Sequence, residues 1–250
     1  MKTGRIAKAI FAALAFLLIS SCGLEDYPYI NPIPQANITQ EFNNRAVVRV
    51  PNTYEGTPFS NFAVFYKIYV SDIPVASTTI SSFPAINSIL STDYNAFSTY
   101  IDSTTIVNTN MENLFQGRGY KYLGLQGVNI GSVLSTAALG NNIIFEFPSS
   151  RAPTMTLSGN TYTLWRSDGN GVFSPRPDRL FMNSEELWKS ENITSTINAD
   201  VADKSGIGET ARHYTYAALF IVAVGINVSS YSSIFSTPSL IHVFQLPDLR

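Results

Sequence analysis

The sequence predicts a mainly β protein, an antiparallel β-sandwich with helical and loop insertions. Charged residues make up 14% of the 250 residues, against about a quarter in typical proteins. Apolar residues recur with a period of two in several segments, which indicates strands with one buried face. The run 214–225 is almost wholly apolar and carries no charge, which is typical of a central strand covered on both faces.

Two strands are predicted in the N-terminal part. Residues 45–50 alternate in polarity and end at Pro51, where a proline stops the pairing. Residues 62–72 form the clearest strand of this half. Its alternate residues share one face, and they are Phe62, Val64, Tyr66, Ile68 and Val70.

The period then changes to that of a helix. Apolar residues recur at steps of four, three and four, which places them on one helical face; they are Leu90, Tyr94, Phe97 and Ile101. With Ser91 as the N-cap, the helix is predicted from about Thr92 to Asp102. A short turn follows near 111–115, so a helical insertion occupies about 81–116.

Strands are predicted to resume after Gly117, at 120–126, 143–147 and 155–157. Residues 162–166 and 172–173 resemble a hairpin, with Asp168-Gly169 as its turn. A capping box at 183–186 predicts a short helix carrying Leu187 and Trp188. The excursion 148–210 is therefore loop-rich, and its polar part 189–210 has the least regular pattern.

The C-terminal fifth is predicted to be a hairpin. The apolar run 214–225 is followed by a Ser-rich loop at 227–236 and a last strand at 237–246. The pattern Tyr214-x-Tyr216…Val222-Ala-Val-Gly225, then Ser236-Thr-Pro-Ser239, resembles the last two strands of a fibronectin type III sandwich. Residues 65–71 are similar to its third strand. The resemblance covers about a fifth of the chain, and such domains have only about 100 residues, so the excess is assigned to the two insertions.

The N-terminus has the features of an export signal. Lys2, Arg5 and Lys8 precede an apolar run at 9–19, and small residues lead to Cys22. The run is 11 residues long, whereas a membrane-spanning helix needs about 20. The segment Ile19-Ser-Ser-Cys22 resembles the lipobox of bacterial lipoproteins in a loose, spirochaete-type form. That resemblance implies cleavage after residue 21 and acylation of Cys22, the only cysteine.

The predicted domain organisation follows from this signal. Residues 1–21 are removed, residues 22–36 form a Pro-rich tether, and residues 37–250 form one domain. Gly23 follows the cysteine where an Asp would retain a lipoprotein at the inner membrane, so the resemblance implies an outer-membrane location, on the surface or the periplasmic face. As a whole, the chain resembles small spirochaetal lipoproteins of unknown function.

Composition restricts the possible partners. Removal of residues 1–21 takes three basic residues and no acidic residue from the chain, which leaves a net charge of about −5. A mildly acidic protein is a poor partner for nucleic acid or for an anionic membrane surface. The predicted partners are the membrane, through acylated Cys22, and a protein or carbohydrate ligand. The sequence does not indicate an oligomeric state.

No catalytic, cofactor-binding or metal-binding residue is predicted. His213 and His242 lie far apart if the C-terminal hairpin pairs Gly225 with Thr237, because His242 then faces Phe220. The dinucleotide-like pattern at 206–211 lacks the strand–turn–helix context. Asp168-Gly-Asn170-Gly lacks a calcium loop's further carboxylates, and Asp200, Asp203 and Glu209 form only a sparse acidic loop. Arg118-Gly-Tyr-Lys-Tyr122 is interpreted as an outward strand face.

Two functions remain open at this point. The first is a non-enzymatic binding or adhesion module that presents loops on the sandwich, with candidate loops at 167–179 and 227–236. The alternative is an envelope carbohydrate hydrolase that uses carboxylates in the 148–210 region. A cleft with two facing carboxylates would favour the hydrolase.

Overall fold

The computed structural model describes residues 29–54, 58–71, 75, 77–101, 111–149, 151–166, 188 and 214–246. These residues form antiparallel sheets packed face to face, with helices on the outer face of one of them. The predicted mainly β, sandwich-like fold is confirmed.

The first sheet has six strands. They are β1 (Ile38–Glu41), β2 (Arg45–Arg49), β5 (Gly124–Leu125), β6 (Asn142–Glu146), β7 (Thr154–Leu157) and β8 (Asn160–Trp165). Their order across the sheet is β1-β2-β6-β7-β8-β5, and all pairings are antiparallel. The predicted strands at 45–50, 143–147 and 155–157 are confirmed.

The second sheet is built on two long strands. These are β3 (Phe59–Ser71) and β9 (Tyr214–Asn227), which pair from Phe59–Gly225 to Ser71–Tyr214. The short β4 (Lys121–Tyr122) extends the sheet beside β3. On its other edge, β9 pairs with β10 (Ser232–Phe235) and then with β11 (Ser239–Gln245). Buried residues follow one another along β9, as predicted for a doubly covered strand.

The two faces of the second sheet lie in different cores. Phe62, Val64, Tyr66 and Ile68 of β3 pack between the two sheets. Ala63, Phe65 and Tyr69 point the other way, into a core formed with the helices. The helices that cover this face are α1 (Phe83–Ile86), α2 (Ser88–Ile101) and α3 (Met111–Gly117), whereas α4 (Ile130–Val133) precedes β6. The molecule thus has three layers, namely sheet, sheet and helix.

Helix α2 confirms the predicted helix but begins four residues before the predicted Thr92. Asn87 lies just before the helix, and its Oδ1 accepts a hydrogen bond from the Ile89 amide at 2.9 Å. Ser91 therefore lies inside the helix, and Asn87 supplies the N-terminal hydrogen bond expected of a cap. Leu90 and Phe97 are buried against the second sheet.

The predicted strand at 120–126 is divided between the two sheets. Lys121 and Tyr122 pair with β3, whereas Gly124 and Leu125 pair with β8. Leu123 lies at the crossing, where its amide donates to the Val64 carbonyl at 2.8 Å. The alternation in the sequence is compatible with one strand or two, so the change of sheet is not visible in it.

Two predicted boundaries were wrong. The predicted tether ended at residue 36, but Ile30 and Ile33 are buried in the core between the sheets. Ser239 Oγ also donates to the Ile33 carbonyl at 2.6 Å. The predicted loop at 227–236 contains β10, because pairing with β9 overrides the low strand preference of serine.

The register of the C-terminal hairpin also differs from the prediction. Gly225 pairs with Ile234 instead of Thr237, and His242 pairs with Leu219 instead of Phe220. A bulge between Leu240 and His242 and the break between β10 and β11 cause the difference. Strands β3, β9 and β10/β11 have the relative order of strands C, F and G in immunoglobulin-type sandwiches. The first sheet departs from that pattern because β7 and β8 follow β6, so the fibronectin type III assignment stays a prediction.

Candidate functional site

A buried polar network joins the helical layer to the second sheet. Asp93 of α2 accepts hydrogen bonds from Lys67 Nζ of β3 at 2.8 Å and from Arg118 Nη1 at 3.0 Å. Tyr69 Oη donates to the same carboxylate at 2.8 Å. Since the single phenolic proton of Tyr69 is used there, Tyr120 is the donor in the 2.6 Å contact between the two hydroxyl groups.

The centre of this network is buried, while the side chain of Arg118 is 31% exposed. The side chain of Asp93 is 4% exposed and that of Lys67 is 8% exposed. Lys67 Nζ also donates to the Arg118 carbonyl at 2.7 Å. Burial raises the pKa of Tyr69 and of Tyr120 well above the ordinary value of 10.0, so both phenols stay protonated. A phenol that stays protonated is a poor general base, and the network therefore positions α2 rather than forming an open catalytic site.

Sequence analysis missed this network. The segment Arg118–Tyr122 was predicted to be an outward strand face, but Tyr120 is fully buried and packs edge-on against Phe97 and Phe115 in the aromatic core. The signal that could have found it is Lys67, a lysine near the middle of an apolar strand. A buried lysine requires a partner of opposite charge.

A second feature is the turn that joins β9 to β10, residues 228–231, here called the Tyr231 turn. Tyr231 is 88% exposed and has a φ of 53°, a left-handed conformation that is unfavourable for a bulky side chain. Asn227 Oδ1 accepts from the amides of Ser229 and Ser230 at 2.9 and 3.3 Å. The Tyr231 amide donates to the Asn227 carbonyl at 2.7 Å. The aromatic ring is thus presented by a hydrogen-bonded turn.

The turn between β1 and β2, residues 42–44, is the Phe42 turn. Phe42 is 89% exposed and has a φ of 55°. The amides of Gln245 and Phe147 donate to the carbonyls of Asn43 and Asn44 at 2.9 and 2.8 Å. His242 Nε2 lies 2.6 Å from the Phe42 carbonyl. The Phe42 turn therefore lies beside Gln245, which pairs with Tyr216 near the start of β9.

The two aromatic turns lie at opposite ends of the sandwich. The Tyr231 turn follows the end of β9 that pairs with Phe59, and the Phe42 turn adjoins the end that pairs with Ser71. The predicted binding loop at 167–179 lies outside the described residues, but β8 runs toward it from Asn160 to Trp165. Because Thr163 pairs with Thr154, and Thr154 with Glu146, this strand ends at the Phe42 end. Strand β8, which leads toward the predicted loop at 167–179, and strand β9, which leads into the predicted loop at 227–236, therefore end at opposite ends of the sandwich.

Several predicted residues lie outside the described part of the chain. They are the signal segment with Cys22, His213, the Asp168 turn, and the acidic residues Asp200, Asp203 and Glu209. Residues 148–166 contain no Asp or Glu, so any carboxylates of the hydrolase alternative belong to residues 167–210. Trp188 is fully buried and its indole N–H donates to the Leu164 carbonyl at 3.2 Å.

Within the described residues, no group of three or more His, Cys, Asp or Glu side chains is placed to hold a metal ion. None of the helices among them has the length and hydropathy needed to cross a membrane. The chain matches no protein-family model, no curated protein and no solved structure.

Proposed function

We propose that this protein is a lipid-anchored module of the bacterial cell envelope that binds a protein or carbohydrate partner through its Tyr231 turn, and that it is not an enzyme. Acylated Cys22 holds the chain at the outer membrane. The observation that carries the binding proposal is the ordered presentation of Tyr231, because the fold keeps a large aromatic ring exposed on a left-handed residue. Such conformations persist only where the surrounding structure holds them, and they cluster at functional sites.

The surroundings of Tyr231 support recognition. Ile226 and Val228 are 43% and 65% exposed, so three of the seven large apolar side chains that are exposed among the described residues lie within six positions of the chain. Ser229, Ser230, Ser232 and Ser233 add hydroxyl groups beside them. Tyrosine with serine is the composition of antibody binding loops, in which the aromatic ring supplies contact area at a small entropic cost.

The charge of this region indicates the chemistry of the partner. Residues 214–246 include no Asp, Glu, Lys or Arg, so the Tyr231 turn has no charged side chain with which to bind phosphate groups. Its contacts are ring stacking, apolar burial and hydrogen bonds from hydroxyl groups. These contacts suit an uncharged protein surface or the face of a sugar.

Photo-crosslinking in living cells tests the binding site. A photoreactive phenylalanine analogue at position 231 is expected to give a discrete adduct with one partner. The same analogue at Thr92, an exposed position on helix α2, is the matched control and is expected to give none. Equal labelling from both positions, or no adduct from position 231, would contradict recognition by this turn.

A further inference from the structure

The Phe42 turn is held closed by a buried histidine. His242 is 3% exposed and packs edge-on against Phe244, with 4.8 Å between ring centroids. A carbonyl oxygen can only accept, so His242 Nε2 carries the proton that it donates to Phe42. The neutral ring then has an unprotonated Nδ1, which is buried and has no hydrogen-bond partner among the described residues.

Protonation of His242 conflicts with this arrangement. A second proton on Nδ1 would put a charged N–H group at a buried position for which the described residues provide no acceptor. Burial accordingly lowers the pKa of His242 from its ordinary value of 6.5, and the hydrogen bond to Phe42 offsets this only in part.

Few other charges act on this site. The elements packed against β11 are β9, β1 and β2. Strand β9 has only the phenols Tyr214 and Tyr216 as titratable groups. Strand β1 contributes Glu41, and β2 contributes Arg45 and Arg49. Glu41 forms an ion pair with Arg45 beside the turn, whereas Arg49 lies at the far end of β2.

Opening the Phe42 turn breaks its backbone hydrogen bonds and the 3.2 Å bond that Thr78 Oγ1 donates to Asn43 Oδ1. Phe42 and Asn44 are exposed and Asn43 is half-buried, so moving the turn uncovers no buried side chain of its own. Opening also releases the left-handed backbone of Phe42, a conformation that is unfavourable for an L-residue. The core strands on either side bury many apolar residues and are far more costly to separate.

We propose that the Phe42 turn is a pH-controlled latch: neutral His242 keeps it closed, and protonated His242 releases it together with the exposed Phe42 ring. The inference goes beyond the proposed binding function and does not depend on it, since it concerns the opposite end of the sandwich. An exported domain meets changes of external pH to which such a latch responds.

The sign of the pH dependence follows from linkage. The open turn gives His242 its ordinary pKa, and the closed turn gives it a lower one. The equilibrium constant for closing the turn is therefore largest above about pH 6.5. Below that pH it falls about tenfold per pH unit until the pH reaches the lowered pKa of the closed state.

Amide hydrogen exchange of the full chain in detergent tests the latch. The reporters are the amides of Gln245 and Phe147, which donate to the turn, and the amide of Phe220 in β9 is the internal control. Their protection factors are expected to fall about tenfold per pH unit below pH 6.5, while that of Phe220 stays constant. Constant protection at Gln245 and Phe147 while the His242 ring titrates would overturn the proposal.

The two histidines provide a matched pair of variants. His242→Gln retains an amide donor for the Phe42 carbonyl but does not titrate, so it is expected to abolish the pH dependence of protection. His213→Gln is expected to leave it unchanged. An unaltered pH dependence in His242→Gln would overturn the proposal, and if that variant does not fold, the exchange data on the unaltered chain decide alone.

Discussion

Asp93 is the single carboxylate that neutralises charge in the buried network, since Lys67 and Arg118 both donate to it. Asp93 lies on α2, and the four residues that bond to it or to each other come from β3 and the segment after α3. A hydrogen-bonded charge of this kind specifies how two layers dock, because only one relative position satisfies every donor.

Removal of this carboxylate is expected to be costly. Asp93→Ala leaves Lys67 buried without its counter-charge, and we expect a loss of about 3–5 kcal/mol in the free energy of unfolding. The matched control is Glu41→Ala, which removes a half-buried ion pair with Arg45 at the edge of the sheet and is expected to cost less than about 1 kcal/mol. Urea denaturation measures both, and equal losses would show that the network contributes little.

The phenols of the network predict a loss of stability at alkaline pH. Burial raises the pKa of Tyr69 and Tyr120 in the folded state above 10.0. Their contribution is therefore complete below about pH 10, and it is lost as the pH rises further, because the unfolded chain ionises first. Tyrosinate absorbance should show these two groups ionising only together with the loss of circular dichroism, and earlier ionisation would contradict their burial.

Substitution of Tyr231 distinguishes a role of its ring in recognition from a role in packing. Glycine adopts a φ of 53° without strain, so Tyr231→Gly is expected to raise the free energy of unfolding by up to about 1 kcal/mol. The same change at Ser158, whose φ is 50°, is the control for backbone relief alone. Denaturant unfolding measures both variants. A destabilised Tyr231→Gly protein would mean that the ring serves packing instead of recognition.

At the scale of secondary-structure elements, the strands and the helix with a clear apolar period or a long apolar run were predicted correctly. Strands β3 and β9 and helix α2 were predicted because long runs of apolar side chains outweigh local preferences. Strand β10 was missed because its serines favour loops, and only pairing with β9 makes it a strand. The crossing at Leu123 and the burial of Ile30 and Ile33 depend on distant partners, which no local pattern contains.

The candidate sites likewise divide into features that have a local sequence signal and features that depend on contacts between distant residues. The loop at 227–236 was predicted from its serines, and the turn within it carries Tyr231. The left-handed backbone of Tyr231, the link between Phe42 and His242, and the network around Asp93 arise from contacts between residues far apart in the chain. Phe42 and His242, for example, are 200 positions apart.

Helix α2 is expected to depend on its buried aromatic contact with the second sheet. Phe97 is 1% exposed and its ring packs against Phe220 at 4.9 Å between centroids. Phe97→Ala should lower the free energy of unfolding by about 3–5 kcal/mol. Asn95→Ala, an exposed change on the same helix, is expected to have little effect. Thermal or urea unfolding of the pair measures the difference, and similar values would contradict docking of the helix through this face.

At the scale of the molecule, the three layers give the two ends of the sandwich different properties. The Tyr231 turn is uncharged and apolar, whereas the Phe42 turn adjoins the ion-paired residues Glu41, Arg45 and Glu146. A rigid double core between these ends favours binding through preformed surfaces, which need little reorganisation.

The central claim is that Cys22 holds this recognition module at the cell envelope. The most direct measurement is labelling of intact cells with radioactive palmitate, followed by digestion of the cell surface with protease, for the natural chain and for Cys22→Ala. The account predicts that the natural chain is labelled and that Cys22→Ala is not. Loss of the labelled band on digestion would place the turns outside the cell, and its survival would place them at the periplasmic face. A natural chain without label would contradict the account.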